Sequence, residues 1–271
     1  MTVHPVFVRD GERFSATDLA HGPWYEGALH GGATAALIVH EIERHPASSA
    51  LRLARLTCDF VAPVPSEGLS VELEVVRPGR RVTLLEAVVR DAGDAAVCRA
   101  RALLLDAAEL GAAVAGAGEP SPPGPEQGVP SDWISDGRRM FATDAMEVRF
   151  IEGSFLEPGP ATAWLRLRGP LVGELPPSPL QRLAAASDFG NGIASVLEWD
   201  RHVFINADLT VHIEREPVDE WVALRSRMRV APGSVAIAES TLLDRRGRIG
   251  LAIQSLVVGE RRDRARPAPG V

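Results

Sequence analysis

At 271 residues the chain is long enough for one large domain or two of ordinary size, each able to bury a core. Apolar residues make up 45% and charged residues 24%, the balance of a folded globular protein, which argues against disorder. A formal charge of −7, with every basic side chain an Arg and no Lys, argues against nucleic acid as a partner, although local Arg clusters can still meet a small anion. The opening stretch MTVHPVFVRDGERF lacks the basic-then-apolar pattern of a signal peptide. No segment approaches the ~18 uninterrupted apolar residues of a membrane span, so a cytoplasmic address without a membrane span is expected.

In chain order, GGATAALIVHEIE at 31 to 43 carries Ala36, Leu37, His40 and Ile42 at helical spacing behind a Gly-Gly start. LRLARLTCDFVAPV, LSVELEVVRPG, RVTLLEAVVRD and AAVCRARALLLD follow as four runs of strand composition separated by Pro, Gly and Asp turns. Cys58 and Cys98 show no CxxC or Cys/His ligand spacing and read as buried packing residues. The His residues show no HExxH, and His40 and His45, five apart, do not share a helix face. No metal and no redox cofactor is indicated.

Residues 107 to 132, rich in Ala, Gly, Pro and Ser, read as a linker. The same order then returns: SDFGNGIASVLEW at 187 to 199 reads as a helix, followed by four strand-like runs. The landmarks match. Pro63 precedes Pro78-Gly79 by fifteen residues and Pro217 precedes Pro232-Gly233 by fifteen, while Glu86 leads Asp91 by five and Glu239 leads Asp244 by five. An internal duplication explains the register. Strands at 12 to 17 and 144 to 168 are expected to complete each unit ahead of its helix. Two sheets joined edge to edge remove a pair of exposed edges, so one pseudo-twofold body is expected.

Some residues break the pattern. Asp188, at the expected start of the second helix, is either a cap or an ionised carboxylate held for chemistry. Gln254 is an isolated polar residue in LAIQSLVV, and burying it without a partner would cost ~1–3 kcal/mol. Gly31 and Gly32 allow either a ligand or a neighbouring element to approach the backbone closely. His30 beside them is structural or touches substrate, and Thr57 is an ordinary strand position or faces a cavity.

Four passages, HGGATAALIVHEIE, LTCDFVAPVP with VVRPGRR, ASDFGNG and DRRGRIGLAIQS, resemble the double-hotdog acyl-CoA thioesterases of the acyl-CoA thioesterase II type and their thioesterase-like relatives. The resemblance covers nearly the whole chain apart from the linker and the tail RRDRARPAPGV. It implies an α+β double hotdog, with an N-terminal unit at 1–106 and a C-terminal unit at 133–271 forming one continuous curved sheet around two central helices. It also implies hydrolysis of an acyl-CoA to free acid and coenzyme A by Asp-assisted direct attack of water.

In that family an Asp at the start of the second-half helix, a Thr on the next strand and a Gln on the last strand are implied to hold the hydrolytic water. The Asp falls on Asp188 and the Gln on Gln254, but the Thr position holds Asn206, a departure that adds two donors and lengthens the reach. The N–H groups at Gly31 and Gly32 are candidate oxyanion donors, with His30 and Thr57 as candidate substrate contacts. The Arg-rich turns at 77–81 and 244–248 either meet coenzyme A phosphates or are simply solvated.

Two other readings stay open: a noncatalytic acyl-CoA-binding hotdog protein, which the Asn206 departure keeps alive, and a hotdog enoyl-CoA hydratase or dehydratase. Members of the last class place a His five residues after the Asp, where this chain has Ile193. Association into a homo-oligomer is compatible with the duplication but not required by it.

Overall fold

Two helices lie side by side under a single long antiparallel sheet. The computed structural model describes residues 4–107, 119–131, 133, 137–233 and 235–261. A two-stranded ribbon, β1 (Phe7–Asp10) and β2 (Arg13–Ala16), precedes α1 (Gly31–Arg44). Four strands follow: β3 (Arg52–Phe60), β4 (Ser70–Arg77), β5 (Val82–Arg90) and β6 (Ala96–Leu105). After the short β7 (Val129–Pro130) come β8 (Met146–Glu152), β9 (Ala161–Leu167), α2 (Pro179–Ser187) and the single turn α3 (Gly190–Ile193). The chain closes with β10 (His202–Asn206), β11 (Asp208–Ile213), β12 (Val222–Val230), β13 (Ala236–Asp244) and β14 (Gly247–Glu260). Among the described residues no helix is long and apolar enough to cross a membrane.

The twelve-stranded sheet runs β4-β5-β6-β3-β11-β14-β13-β12-β9-β8-β7, with β10 beside β14. The order on one side of the β3–β11 seam repeats on the other as its mirror, and this is what a twofold axis through the seam requires. Thr57 pairs with Thr210 at its centre, and these two positions stand the same 153 residues apart as Glu86 and Glu239. The expected α+β double hotdog is therefore the observed fold. Alternation does the packing: in β5, Thr83, Leu85, Ala87 and Val89 turn inward, and α1 buries nine of its fourteen residues beneath the sheet.

Three sequence expectations are corrected. The strand expected at 12–17 does not join the main sheet as its counterpart does. β2 pairs with β1 and reaches the sheet only through the Phe14–Leu69 bridge, whereas β8 and β9 extend it beside β12. The second-half helix is not 187–199 but Pro179–Ser187. Its start is set by a capping box: Ser178 Oγ accepts from the Gln181 N–H at 3.1 Å, and Gln181 Oε1 accepts from the Ser178 N–H, with Pro179 as first helical residue. The helix breaks at Asp188 and Phe189 before the single turn α3 begins at Gly190, so Asp188 is the C-cap of α2 and not at a helix start.

Part of the segment expected as a linker, 108–118 and 132, lies outside the described residues, as does the tail after Arg261. Residues 119–131 pack on the second half. Glu119 O accepts from the Arg248 N–H at 3.0 Å, and Pro123 O accepts from the buried Trp164 indole at 2.7 Å.

Candidate active site

The helices run antiparallel. At one end Glu43 of α1 accepts hydrogen bonds from Ser178 and Gln181 at the start of α2, and at the other the opening of α1 meets the end of α2. Contact there is close enough to require glycine. A Cβ on Gly32 would lie 2.5 Å from Ala185 O, and one on Gly31 would lie 2.7 Å from Asp188 Oδ2 and 2.8 Å from Phe60 Cζ.

Asp188, 4% exposed, is the acceptor on which the site is built. Its Oδ2 accepts from the Gly32 N–H at 2.8 Å, so the helix end that stabilises this anion belongs to α1 and not to its own helix. His30 Nδ1, the N-cap of α1, stands 3.0 Å from the same oxygen. Oδ1 accepts from Asn206 Nδ2 and, at 3.0 Å, from Gln254 Nε2, which also reaches Asp188 O at 3.2 Å. Gln254 Oε1 in turn accepts from the Asn191 N–H at 3.1 Å, while Asn191 Nδ2 donates to Phe204 O.

A one-residue shift in pairing explains how Asn206 reaches this cluster. Asn206 stands opposite Leu256, but Thr210 stands opposite Ile253, so the β10–β11 side carries one extra residue. Phe204 faces inward before the bulge and Leu209 and Val211 after it, so the inward parity changes from even to odd, with Asn206 on the inner side. Gln254 shares the inner face of β14 with Ala252 and Leu256.

The structure thus brings together Asp188, Asn206, Gln254, His30, Gly31 and Gly32. Thr57 is elsewhere: its neighbours Leu56 and Cys58 face the core, alternation turns Thr57 to the other face, and its hydroxyl meets that of Thr210 at 3.4 Å. Gly32 is corrected in role, since its N–H is engaged by Asp188 and His30 Nδ1 and is unavailable to an oxyanion. Asn191 and Gly190 escaped the sequence reading. A Cβ on Gly190 would collide with Ser240 Oγ, and the Gly-Asn-Gly spacing was the visible signal for a close backbone approach.

A cavity of about 290 Å³ opens onto this cluster, with Asp188, Asn206, Asn191, His30 and Gly31 on its wall. Gln254 and Gly32 stand behind Asp188, off the wall, where they can orient the carboxylate but not touch a ligand. Much of the remaining lining is aromatic, including Trp24, Trp133 and Trp199. A polar hollow of about 380 Å³ adjoins it through Gly22, Tyr25 and Met140, and carries Arg138 and Arg139. In the 244–248 turn Arg245 pairs with Asp219 and Glu126 and Arg248 with Glu214, while Arg246 is exposed there and Arg80 and Arg81 are exposed on the β4–β5 turn.

The buried thiol nearest this chemistry is unsuited to nucleophilic attack. Hydrogen bonding to Cys98 and burial push the Cys58 thiol well above its ordinary range, with the Asp188 charge adding to the effect.

Comparison with known proteins agrees with this architecture. Residues 20–105 match the family model of the acyl-CoA thioesterase N-terminal domain, and residues 119–258, more than half the chain, match that of the acyl-CoA thioesterase C-terminal domain. A search of curated proteins finds no match. Among solved structures, a Thermobifida fusca protein assigned as thioesterase II superposes with a TM-score of 0.73 at 20% identity, covering 94% of this chain and 95% of that one. A hot dog fold protein of unknown function from Alicyclobacillus acidocaldarius gives 0.72 at 18%, covering 94% and 96%. The acyl-CoA thioesterase II TesB2 of Mycobacterium marinum gives 0.65 at 15%, covering 93% and 94%. At these identities the superpositions speak for the fold, and the two family models, matched in tandem, speak for the lineage: the chain belongs to the acyl-CoA thioesterase family and is a thioester hydrolase.

Proposed function

We propose that this protein hydrolyses an acyl-CoA to a free acid and coenzyme A by direct attack of water, with Asp188 taking the proton. The observation that supports this most is a buried carboxylate at the base of a largely apolar cavity, oriented by N–H groups from three separate segments. A thioester needs no covalent helper, because its carbonyl is electrophilic and thiolate leaves readily; a positioned water and an acceptor for its proton suffice. The water oxygen bonds to the carbonyl carbon, Asp188 receives the proton, and collapse breaks the C–S bond and releases the thiolate, to which the proton returns.

Asn206 donates through Nδ2 to Asp188, leaving its amide oxygen to accept from the water. The Asn thus supplies what the family's Thr hydroxyl would, from one atom further out. Gln254 acts as a positioning residue. The developing oxyanion is received by the Gly31 N–H at the positive end of α1, a donor that meets no acceptor among the described residues.

One observation favours a second assignment of the base. Asp188 already accepts from Gly32, Asn206 and Gln254, so both of its oxygens are engaged by protein donors before a water arrives. In the tautomer with the proton on Nδ1, His30 would give up accepting from the Gly32 N–H, donate to Asp188 at 3.0 Å and leave Nε2 as the proton acceptor, with Gly32 still held by Asp188 Oδ2. Thiol release from acyl-CoA by Asp188→Asn and His30→Gln separates the two. The first reading expects Asp188→Asn to be nearly inactive and His30→Gln to keep most of kcat; the second expects His30→Gln to be the dead variant. Wild-type rates from Asp188→Asn would sink both.

A further inference from the structure

We propose that the acyl group this cavity accepts is compact and ring-bearing, an aroyl or arylalkanoyl group, in preference to an unbranched chain. This rests on the hydrolytic reading of the same site and adds its substrate class.

The chain holds fourteen aromatic residues, five Trp, one Tyr and eight Phe, and seven of them line this one cavity. An unbranched chain needs only apolar walls, and Leu, Val, Ile and Ala are abundant in this sequence. Gathering the scarce rings at one place is what a flat π-faced ligand would require. The rings are also mutually ordered. Trp24 stacks on Trp199 with centroids 5.1 Å apart and planes at 14°, and Trp133 stands edge-on to Trp199 at 4.5 Å and to Phe155 at 5.2 Å. A wall of alternating faces and edges offers an inserted ring both offset-stacked and edge-to-face contacts. Phe189, stacked on His30 at 4.8 Å, and Phe60, poised over Gly31, continue that wall to the carboxylate.

Size points the same way. An apolar cavity of about 150 Å³ is enough for benzene. The 290 Å³ here takes one ring, a short spacer and the thioester, and it stands at the small end of the roughly 300–1,000 Å³ range of ligand pockets. A rigid ring also loses less rotamer freedom on binding than an alkyl chain of equal carbon number.

The test compares kcat/KM by thiol release for pairs of equal carbon number, phenylacetyl-CoA against octanoyl-CoA and benzoyl-CoA against heptanoyl-CoA. The ring-bearing member of each pair is expected to be hydrolysed at least tenfold better. Trp133→Leu and the milder Trp199→Phe are expected to cut that ratio severalfold, with folding checked by circular dichroism. Straight-chain substrates turned over as well as or better than their aryl partners would overturn the inference while leaving the hydrolytic reading intact. If no thioester releases thiol, the hydrolytic reading fails on its own. Quenching of the cavity tryptophans in titrations with the same pairs then decides the ring preference: tighter binding of the aryl member supports it, and equal or weaker binding overturns it.

Discussion

The backbone N–H of Gly32 donates to Asp188 Oδ2 at 2.8 Å across 156 positions of sequence. One hydrogen bond thereby joins the opening of α1 in the first half to the end of α2 in the second, and it sets a carboxylate at the positive end of a helix to which that carboxylate does not belong. The cavity, the glycines and the amide partners are all arranged around it.

Replacing the carboxylate by its amide is the direct test of that arrangement. Asp188→Asn keeps the shape, removes the charge and turns one acceptor into a donor facing other donors. A fall in kcat of roughly 10²- to 10⁴-fold is expected, with a loss of stability of about 1–3 kcal/mol from the mismatched hydrogen bond. Circular dichroism and urea titration are expected to show a folded protein.

The glycines carry a steric prediction. Gly32→Ala would bring a methyl within 2.5 Å of Ala185 O, a backbone atom with no easy retreat, so a loss of about 1–3 kcal/mol is expected by urea denaturation. In Gly192→Ala the nearest atoms to the new methyl belong to Phe155 and Trp199 at 3.6–4.0 Å, ordinary contact distances. Its stability is expected to stay within about 0.5 kcal/mol. Equal losses in both variants would contradict the close packing of the two helices.

Gln254 links three groups at once. Gln254→Leu would leave the Asn191 N–H without its acceptor and withdraw a donor from Asp188, so about 1–3 kcal/mol is lost together with activity. Gln254→Glu retains the acceptor but faces a second carboxylate toward the first. A lower kcat than in the Leu variant is expected, read by thiol release.

At the far end of the helix pair, pH should act through His40 and Glu43. Burial, followed by the Arg44 and Arg9 charges, lowers His40 from 6.5 to about 4. The native state therefore prefers the neutral ring, and this contribution is present above about pH 6.5 and lost as pH falls toward 4. Glu43 moves the other way. Burial raises it against the hydrogen bonds of Ser178 and Gln181, so its contribution is present below 4.5 and lost as pH rises through its folded value. Urea midpoints at pH 7, 5.5 and 4.5 should fall less steeply in His40→Gln than in the wild type, and more steeply in Glu43→Gln. Parallel curves for all three proteins would refute the assignment.

Both thiols face the core, Cys58 beside Cys98 on the neighbouring strand. Iodoacetamide at pH 7.5 is expected to label neither in the native protein and both after unfolding, by mass spectrometry. Labelling of native Cys58 with loss of activity would argue for a reactive thiol and against water as the nucleophile.

The duplicated fold was legible because both copies announce themselves locally. Turn residues recur at matched spacing, and strands such as β5 alternate with period two whatever lies beside them. Asp188 and Gln254 were legible as polar residues in apolar runs, since burial obliges such groups to find partners. The helix boundary was misplaced although Ser178-Pro179-Leu180-Gln181 carries a capping signature, because the later Ser187-Asp188 also looks like a helix start.

Local sequence thus determined the two-copy order, the inward faces of most strands and the polar residues that had to be satisfied. Tertiary structure alone decided which partner satisfies which. The bulge between Asn206 and Thr210 selects the face of Asn206, the seam at Thr57–Thr210 spends Thr57 on the outer face, and the antiparallel helices place the Gly32 N–H over Asp188. Side-chain periodicity is set by neighbours one to four residues away, whereas these contacts join residues from 43 to 156 positions apart. Only closure of the whole sheet around its helices brings them within hydrogen-bonding distance.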